Sequence, residues 1–384
     1  MKEKKRSTAF ILWFDEITID DVPLVGGKNA SLGELKKDKK MDIQIPQGFA
    51  ITAYAYQYVL KKAGVLKDLK AVLQGLDVKN TRDLEEAGRK ARKIMMGIEL
   101  PAELQEAIVN AYRKLSEQLG IRHLDVAVRS SATAEDLPAA SFAGQQESFL
   151  NISSEKQLLD VCKKCFASLF TNRAIAYRAE NNFDHFKVYL SIGVQRMVRS
   201  DLASAGVMFT LDTETGFRNV VFITGSYGLG ESVVQGVVDP DEFYVFKPTL
   251  KQGYDALIDK CIGSKESKII YSQDKANPVK KVATSKRDQK KFCLTESEVL
   301  RLAKWAMEIE EHYSKKYGKW MPMDIEWAKD GRTQELFIVQ ARPETVHSQK
   351  NPYIIEEYKV LQKGKALAQG KSIGNKIVQG KAHV

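Results

Sequence analysis

The chain has 384 residues, a length that predicts two or three packed lobes. Of these residues 43% are apolar and 28% charged, which is typical of a globular protein. Its net charge of +10 suits a polyanionic ligand but does not choose among ATP, nucleic acid and an acidic partner surface. No apolar run approaches the length of a membrane span, and the basic leader MKEKKRST lacks the apolar segment of an export signal, so we expect a cytoplasmic protein.

The first segment with chemical character is LVGGKNASLGEL, residues 24–35. It predicts a glycine turn that opens a short helix, because Gly26 and Gly27 permit close backbone approach. Lys28 then stands at the helix start, where N–H groups and an ammonium can meet an anion. The segment is not a P-loop, since Asn29 follows the lysine where Ser or Thr is required.

Residues 53–119 are predicted to be mainly helical, because their apolar residues recur at helical spacing. Thr52 is expected to open the first of these helices, and Pro101 has the position of a helix-start proline. Nothing in this segment indicates chemistry.

The stretch from residue 126 to residue 150 predicts a strand followed by two polar turns. Residues 126–128 read as a short buried strand that ends at Arg129, and a second small-residue turn around Gly144 leads back into a sheet. Two such turns and an arginine can cradle phosphate oxygens, because backbone N–H groups approach closely and a guanidinium binds bidentately. An ordinary surface salt bridge at Arg129 explains the residues equally well.

The next segments predict a helical region and a strand. Cys162 and Cys165 have CxxC spacing, but no second pair completes four metal ligands, so we expect buried helical cysteines. Arg173 and Arg178 can either reach a phosphate or face solvent. Residues 188–198 predict a strand that leads into a linker between lobes, where an adenine can pair with backbone groups, although the residues alone favour a plain buried strand.

A β-rich lobe is predicted to begin at residues 203–211. The turn GSYGLGE, residues 225–231, lacks the order of a dinucleotide fingerprint. The lysine-rich residues 253–291 predict a surface hairpin with solvated faces. Residues 295–317 predict the clearest helix, with Thr295 as N-cap and Glu298 as its capping-box partner.

A β-hairpin with oxygen ligands is predicted next, from residues 322–328 and 336–343. Its polar residues are Asp324, Glu326, Gln340 and Arg342. Alternation puts Asp324 and Glu326 on one face, and Glu326 can lie beside Gln340 as a ligand pair for Mg²⁺, with Arg342 near the phosphates that the metal bridges. A cross-strand salt bridge between Glu326 and Arg342 is the alternative.

Five motifs together resemble the N-terminal nucleotide-binding region shared by phosphoenolpyruvate synthases and pyruvate phosphate dikinases. They are GGKNASLGEL, AVRSSATAEDLPAASFAGQ, YGLGES, MDIEW and IVQARPET, and they cover residues 24 to about 345. The resemblance implies an α+β fold of the ATP-grasp type, in which two lobes close on ATP with the adenine at the hinge. It also implies transfer of the β-phosphoryl group of ATP to a histidine on a swivelling domain, which carries it to a pyruvate-binding domain.

Carried over position by position, the resemblance implies a set of site residues. The phosphate contacts, which are also the catalytic residues, would be Lys28, Arg129 and Arg342. The loops that close on the nucleotide would contribute Thr133, Gly144 and Ser148. The adenine would be held by Gln195, Met197 and Val198. Mg²⁺ would be held by Glu326 and Gln340, with Asp324 as support.

The sequence predicts three parts. Residues 1–200 would form the N-terminal lobe, residues 201–346 the grasp lobe with the metal hairpin, and residues 347–384 a linker and the start of a truncated phosphohistidine domain. None of the five histidines stands in the family's phosphohistidine loop. We therefore expect this chain alone to bind Mg-ATP and to make no phosphoenolpyruvate, because the swivelling and pyruvate-binding partner domains are missing.

Other assignments use the same residues. An ATP-binding subunit of a split dikinase, such as phenylphosphate synthase, and a relative of rifampin phosphotransferase would share these lobes. A non-enzymatic nucleotide- or nucleic-acid-binding module would use the basic surface. The acidic magnesium pair and the missing aromatic-interleaved basic stripe argue against nucleic acid as a partner.

Overall fold

The computed structural model describes residues 6–39, 41–134, 148–272, 274 and 278–346, with five isolated residues beyond them: 359, 361, 364, 365 and 380. Helices account for 42% and strands for 23%, and the sheets are antiparallel, which confirms the α+β class. The predicted linker and truncated domain, residues 347–384, lie outside the described residues apart from those five. None of the described helices combines the length and apolar character that a membrane span requires.

The N-terminal half of the chain builds a five-stranded antiparallel sheet. Its strands are β1 (Ile11–Trp13), β2 (Gly48–Ile51), β3 (Val126–Ala132), β4 (Ser148–Ile152) and β5 (Leu190–Arg196). Their spatial order is β1-β2-β5-β3-β4. β4 confirms the predicted return of the chain into a sheet, and β5 confirms the strand predicted within residues 188–198.

Strand β3 is longer than the sequence indicated. The prediction that the strand ends at Arg129 is wrong, because the four residues from Arg129 to Ala132 pair with β5. Ser130 and Ser131 are buried in this ladder. A buried hydroxyl needs a hydrogen-bond partner, and Ser131 Oγ accepts from the Asn29 N–H at 3.3 Å.

Helices cover the first sheet. They are α1 (Val22–Lys37), α2 (Ala53–Ala63), α3 (Leu66–Leu73), α4 (Thr81–Gly97), α5 (Ala102–Leu119), α6 (Glu155–Ser168) and α7 (Asn172–Glu180). Thr52 caps α2 by accepting from the Ala55 N–H at 3.3 Å, and Pro101 directly precedes α5, both as predicted. Cys162 and Cys165 are buried in α6, which confirms their assignment as packed helical cysteines.

The C-terminal half builds a six-stranded antiparallel sheet and a separate hairpin. The strands are β6 (Ser204–Phe209), β7 (Val220–Tyr227), β8 (Asp241–Phe246), β9 (Leu257–Cys261), β10 (Ser267–Tyr271), β11 (Val279–Ala283), β12 (Met323–Lys329) and β13 (Leu336–Pro343). The sheet order is β13-β12-β6-β7-β8-β9, and among the described strands β10 pairs only with β11. The predicted surface hairpin in residues 253–291 is therefore present as β10–β11, while β9 from the same segment is an edge strand of the sheet.

In the described part of the C-terminal half, four helices accompany this sheet. They are α8 (Glu231–Val234), α9 (Lys247–Lys251), α10 (Lys286–Gln289) and α11 (Glu296–Tyr317). The capping box of α11 is as predicted: Thr295 Oγ1 accepts from the Glu298 N–H at 3.4 Å, and the Glu298 carboxylate accepts from the Thr295 N–H at 2.9 Å.

Helix α1 connects the two halves. Its apolar residues Val25, Leu32 and Leu35 lie in the same core cluster as residues of α11 and the second sheet. The Ser31 hydroxyl is 2.8 Å from the Tyr313 hydroxyl of α11. The helix that carries Lys28 is thus packed on the C-terminal half, although it precedes residue 200, and the predicted lobe boundary there stays a prediction.

Candidate functional site

The β12–β13 hairpin brings the predicted oxygen ligands together. Glu326 is the direct cross-strand partner of Gln340, and Asp324 is the partner of Arg342. Burial alternates along β12 as the sequence predicted, with Asp324 and Glu326 on the less buried face. Glu326 and Gln340 therefore present a carboxylate and an amide oxygen side by side.

Arg129 reaches across from the first sheet to this pair. Its Nη1 donates to Glu326 Oε2 at 3.2 Å and to the Val339 carbonyl at 3.3 Å. Its Nε is buried and has no hydrogen-bond acceptor among the described residues. The guanidinium is therefore only partly satisfied, which fits a group that also serves an anionic ligand.

Arg342 is held by Asp324 and not by Glu326. Both Nε and Nη2 of Arg342 donate to Asp324 Oδ2, at 2.9 and 2.6 Å. In place of the alternative salt bridge between Glu326 and Arg342, the structure has two ion pairs: Arg342 with Asp324, and Arg129 with Glu326. Burial raises the pKa of the Asp324 carboxyl, and the Arg342 guanidinium opposes that shift.

Lys28 lies beside β3 because α1 is kinked at Gly26. The φ of +73° and ψ of 167° at Gly26 interrupt the helix, as the predicted glycine turn requires. A Cβ at Gly26 would lie 2.3 Å from the Ser131 carbonyl oxygen, so only glycine permits this approach. Lys28 Nζ donates to the Ser130 carbonyl at 3.3 Å, one residue from Arg129.

A cavity of about 670 Å³ lies between the two sheets and collects most of the predicted site. Nine of the predicted residues line it: Lys28, Arg129, Ser148, Gln195, Met197, Val198, Glu326, Gln340 and Arg342. Of the other three, Asp324 and Thr133 are not among its lining residues, and Gly144 lies outside the described residues. Thr133 instead bonds to the backbone of Tyr189, with its Oγ1 accepting from the Tyr189 N–H at 3.1 Å.

Part of the cavity lining is apolar. Met197 packs with Ala127 and Leu229 in one small cluster, and Val198 belongs to a second cluster with Ala205 and others. The Met197 N–H already donates to the Asp125 carbonyl at 2.9 Å. An adenine held against Met197 and Val198 would therefore have to pair with other backbone groups of the segment after β5.

The cavity also contains residues that sequence reasoning missed. Trp327, Arg196, Glu231 and Gln235 line it, and so does Arg173, whose orientation the sequence left open. Arg178, for which the sequence left the same alternatives open, is buried away from the cavity and donates to His185. A usable signal existed for Glu231, because it lies in the YGLGES motif after a buried strand, but the resemblance implied no role for it.

Charge and donor chemistry fit a magnesium-bound polyphosphate. Among the described residues, five cationic side chains line the cavity against two carboxylates, Glu231 and Glu326. The described part of the chain contains no group of three or more His, Cys, Asp or Glu residues that could hold a metal. A hard cation at Glu326 and Gln340 would have to complete its shell with ligand oxygens and water, which is how Mg²⁺ is commonly held with phosphates.

A larger, open groove of about 1030 Å³ lies between α2, α4 and α5. Val65, Ile94 and Leu100 contribute to its apolar wall, with Lys90 and Lys93 at its border. It holds none of the predicted site residues, so the smaller cavity is the better candidate.

Comparison with known families settles the relationship that the motifs suggested. The model of the pyruvate phosphate dikinase AMP/ATP-binding domain matches residues 22–362. The chain belongs to this family. The match includes every strand of both sheets except β1, and every residue described above as lining the cavity.

Several curated relatives of this chain are phosphoenolpyruvate synthases. The protein from Synechocystis sp. is 53% identical over 99% of this chain, and that from Aquifex aeolicus is 52% identical over 99%. The protein from Escherichia coli is 47% identical over 98% of this chain. The chain spans about half the length of these relatives, 47%, 45% and 47% respectively.

Proposed function

We propose that the cavity between the two sheets binds Mg-ATP. The observation that carries this proposal is the convergence of nine predicted residues on one cavity, with Arg129 in contact with Glu326. They come from five strands, the segment that follows β5, and α1. Membership of an AMP/ATP-binding family supports it. We also propose an ATP-grasp arrangement, which two antiparallel sheets on opposite sides of the cavity support.

The polyphosphate would lie against Lys28, Arg129 and Arg342, and the base against Met197 and Val198. Glu326 and Gln340 would hold Mg²⁺, which supplies charge neutralisation for the bridging phosphate oxygens. Cations from both sheets would neutralise negative charge as it develops on the transferred group. Asp324 would act by holding Arg342 in position.

We propose further that this chain corresponds to the ATP-binding part of a phosphoenolpyruvate synthase. In the intact enzyme, ATP, pyruvate and water would give phosphoenolpyruvate, AMP and phosphate, with a histidine on a swivelling domain as the intermediate phosphoryl carrier. The relatives' printed names and the extent of the match support this assignment. The acceptor step would take place on domains outside the part of the chain described above.

Calorimetric titration of Mg-ATP tests the proposal. We expect the wild-type chain to bind, and Glu326→Ala and Arg342→Ala to bind at least about tenfold more weakly while keeping their folded circular-dichroism spectra. Glu335→Ala, at an exposed position on the same hairpin, is the control and should bind like wild type. Equal affinity of all four proteins would contradict the assignment of the site.

A further inference from the structure

Two residues assigned to different ligands are bound to each other in this structure. Arg129, proposed to contact phosphate, donates from Nη1 to Oε2 of Glu326, proposed to hold the metal. The same Nη1 donates to the carbonyl of Val339, the chain neighbour of Gln340. The guanidinium therefore lies against the Glu326 carboxylate and the backbone next to Gln340, where it competes with a divalent cation for the carboxylate.

We propose that Arg129 is an exchangeable internal counter-ion that blocks the metal ligands until a polyphosphate draws it away. In the nucleotide-free protein Arg129 neutralises Glu326. When a polyphosphate binds, Arg129 turns to the phosphate oxygens and the Glu326 carboxylate becomes available to the metal. The inference rests on the proposed Mg-ATP site and adds a rule to it: metal and nucleotide bind together, and metal alone binds poorly.

Arg129 hinders metal binding at both carboxylate oxygens of Glu326, although it contacts only Oε2. A divalent cation on the other carboxylate oxygen of Glu326 would still lie close to the guanidinium. The two side chains are only 20% and 21% exposed, so water screens the repulsion between the two cations incompletely. The metal can therefore bind only by displacing Arg129 from Glu326, or after Arg129 has moved to another partner.

The guanidinium of Arg129 has unused hydrogen-bond donors that favour its move from carboxylate to phosphate. Its Nε is buried without an acceptor among the described residues, so the contact with Glu326 leaves part of its donor set unused. A phosphate group offers acceptors that match the guanidinium fork and can bind Nε as well. Moving from carboxylate to phosphate therefore improves the hydrogen bonding of Arg129.

Two other cations of the cavity, Arg342 and Lys28, bind groups other than Glu326. Arg342 is held by Asp324, which is not among the lining residues, and Lys28 donates to the Ser130 carbonyl. Within the described residues, Arg129 is the one cation found at salt-bridge distance from Glu326. The proposed counter-ion exchange therefore concerns the Arg129–Glu326 pair.

The coupling between metal binding and nucleotide binding is reciprocal, which makes the proposal quantitative. If polyphosphate binding increases metal affinity by some factor, metal binding must increase nucleotide affinity by the same factor. Removing Arg129 should uncouple the two. Arg129→Gln is therefore expected to tighten metal binding in the absence of nucleotide while weakening nucleotide binding, whereas a merely structural role would weaken both.

The test titrates Mn²⁺ into the full 384-residue chain without nucleotide and follows free Mn²⁺ by electron paramagnetic resonance. We expect Arg129→Gln to bind Mn²⁺ about tenfold more tightly than wild type, within the range usual for coupled sites. Arg173→Gln is the matched control, because it removes the same charge from the same cavity. Its Mn²⁺ affinity should change by less than about threefold.

A double variant shows where the gained metal binds. Adding Glu326→Gln to Arg129→Gln should abolish the gain. An unchanged Mn²⁺ affinity in Arg129→Gln, an equal gain in Arg173→Gln, or a gain that survives the loss of Glu326 would each overturn the proposal. Circular dichroism checks that all variants are folded.

A parallel titration with a non-hydrolysable ATP analogue separates the two proposals. If the wild-type chain binds the analogue with Mn²⁺ but Arg129→Gln shows no gain for Mn²⁺ alone, the counter-ion exchange is wrong and the nucleotide site stands. If the wild-type chain binds neither the analogue nor its Mn²⁺ complex, the proposed function itself fails, and the exchange fails with it.

Discussion

Asp324 and Arg342 face each other across β12 and β13, and a single oxygen, Oδ2 of Asp324, accepts from both Nε and Nη2 of Arg342. The aspartate that the sequence analysis expected to support the metal is thus in contact with the arginine expected to bind phosphate. Its side chain is 15% exposed, so its charge depends on this partner.

Arg342→Ala should destabilise the chain by about 2–3 kcal/mol, because it leaves the Asp324 carboxylate without its partner in a largely buried position. Adding Asp324→Asn removes the stranded charge and should restore most of that stability. Chemical denaturation measures both effects. Nucleotide affinity should remain weak in the double variant, and recovery of binding together with stability would show that Arg342 acts only through the fold.

Glu326→Gln tests the role of the carboxylate next to Gln340. The substitution keeps the shape of the side chain but removes the charge that a hard cation prefers. We expect the gain in ATP affinity on adding Mg²⁺ to fall by about tenfold or more, and the affinity in EDTA to change far less. Calorimetry with and without Mg²⁺ measures the difference, and Glu335→Gln on the same hairpin serves as control. An unchanged magnesium dependence would exclude Glu326 as a ligand.

The Gly26 kink that positions Lys28 can be tested against a second glycine. Gly26 has φ +73° and ψ 167°, a region open essentially to glycine, and a Cβ there would lie 2.3 Å from Ser131 backbone. Gly64 also has a positive φ, +68°, but has nothing within 4 Å of its Cβ position. Gly64→Ala should cost about 1 kcal/mol of unfolding free energy, and Gly26→Ala about 3 kcal/mol or more.

The pair of glycine variants compares a closely packed glycine with one in open space. Thermal or chemical denaturation gives the two costs, and their difference reports the contact between α1 and β3 together with the rarer backbone conformation of Gly26. Equal costs would mean that α1 can shift away from Ser131 without loss, which would remove the proposed reason for glycine at position 26.

Local pattern was enough to predict several elements of this fold. Thr295 and Glu298 define the start of α11 through contacts within one helical turn. The alternation along β12 likewise fixed which side of the hairpin carries Glu326. Such features depend on neighbouring residues alone, and for that reason a single sequence reveals them.

Features that depend on distant contacts were not predictable in the same way. β3 continues past Arg129 because β5 and Asn29 satisfy its backbone and hydroxyl groups. The partner of Arg129 is 197 positions away in the sequence, at Glu326. The family resemblance named both residues but assigned them to different ligands, and only the folded arrangement shows their contact.

His185 predicts an acid-sensitive contribution to stability. Its Nδ1 accepts from Nε of the buried Arg178 at 3.0 Å, which requires a neutral imidazole. Burial, together with the Arg178 guanidinium, lowers the pKa of His185 to about 4. An unfolded histidine has a pKa of about 6.5, so between these values the unfolded chain binds more protons and the free energy of unfolding falls as the pH falls.

His185→Gln retains an acceptor for Arg178 but cannot be protonated. The full pKa shift would correspond to about 3 kcal/mol, and partial exposure of the imidazole reduces this to about 1–2 kcal/mol. We therefore expect the variant to lose about 1–2 kcal/mol less unfolding free energy than wild type when the pH is lowered from 7 to 4.5. Chemical denaturation at both pH values measures this, with the exposed His123→Gln as control. If the two variants and the wild type lose stability equally, the Arg178–His185 contact does not contribute to acid sensitivity.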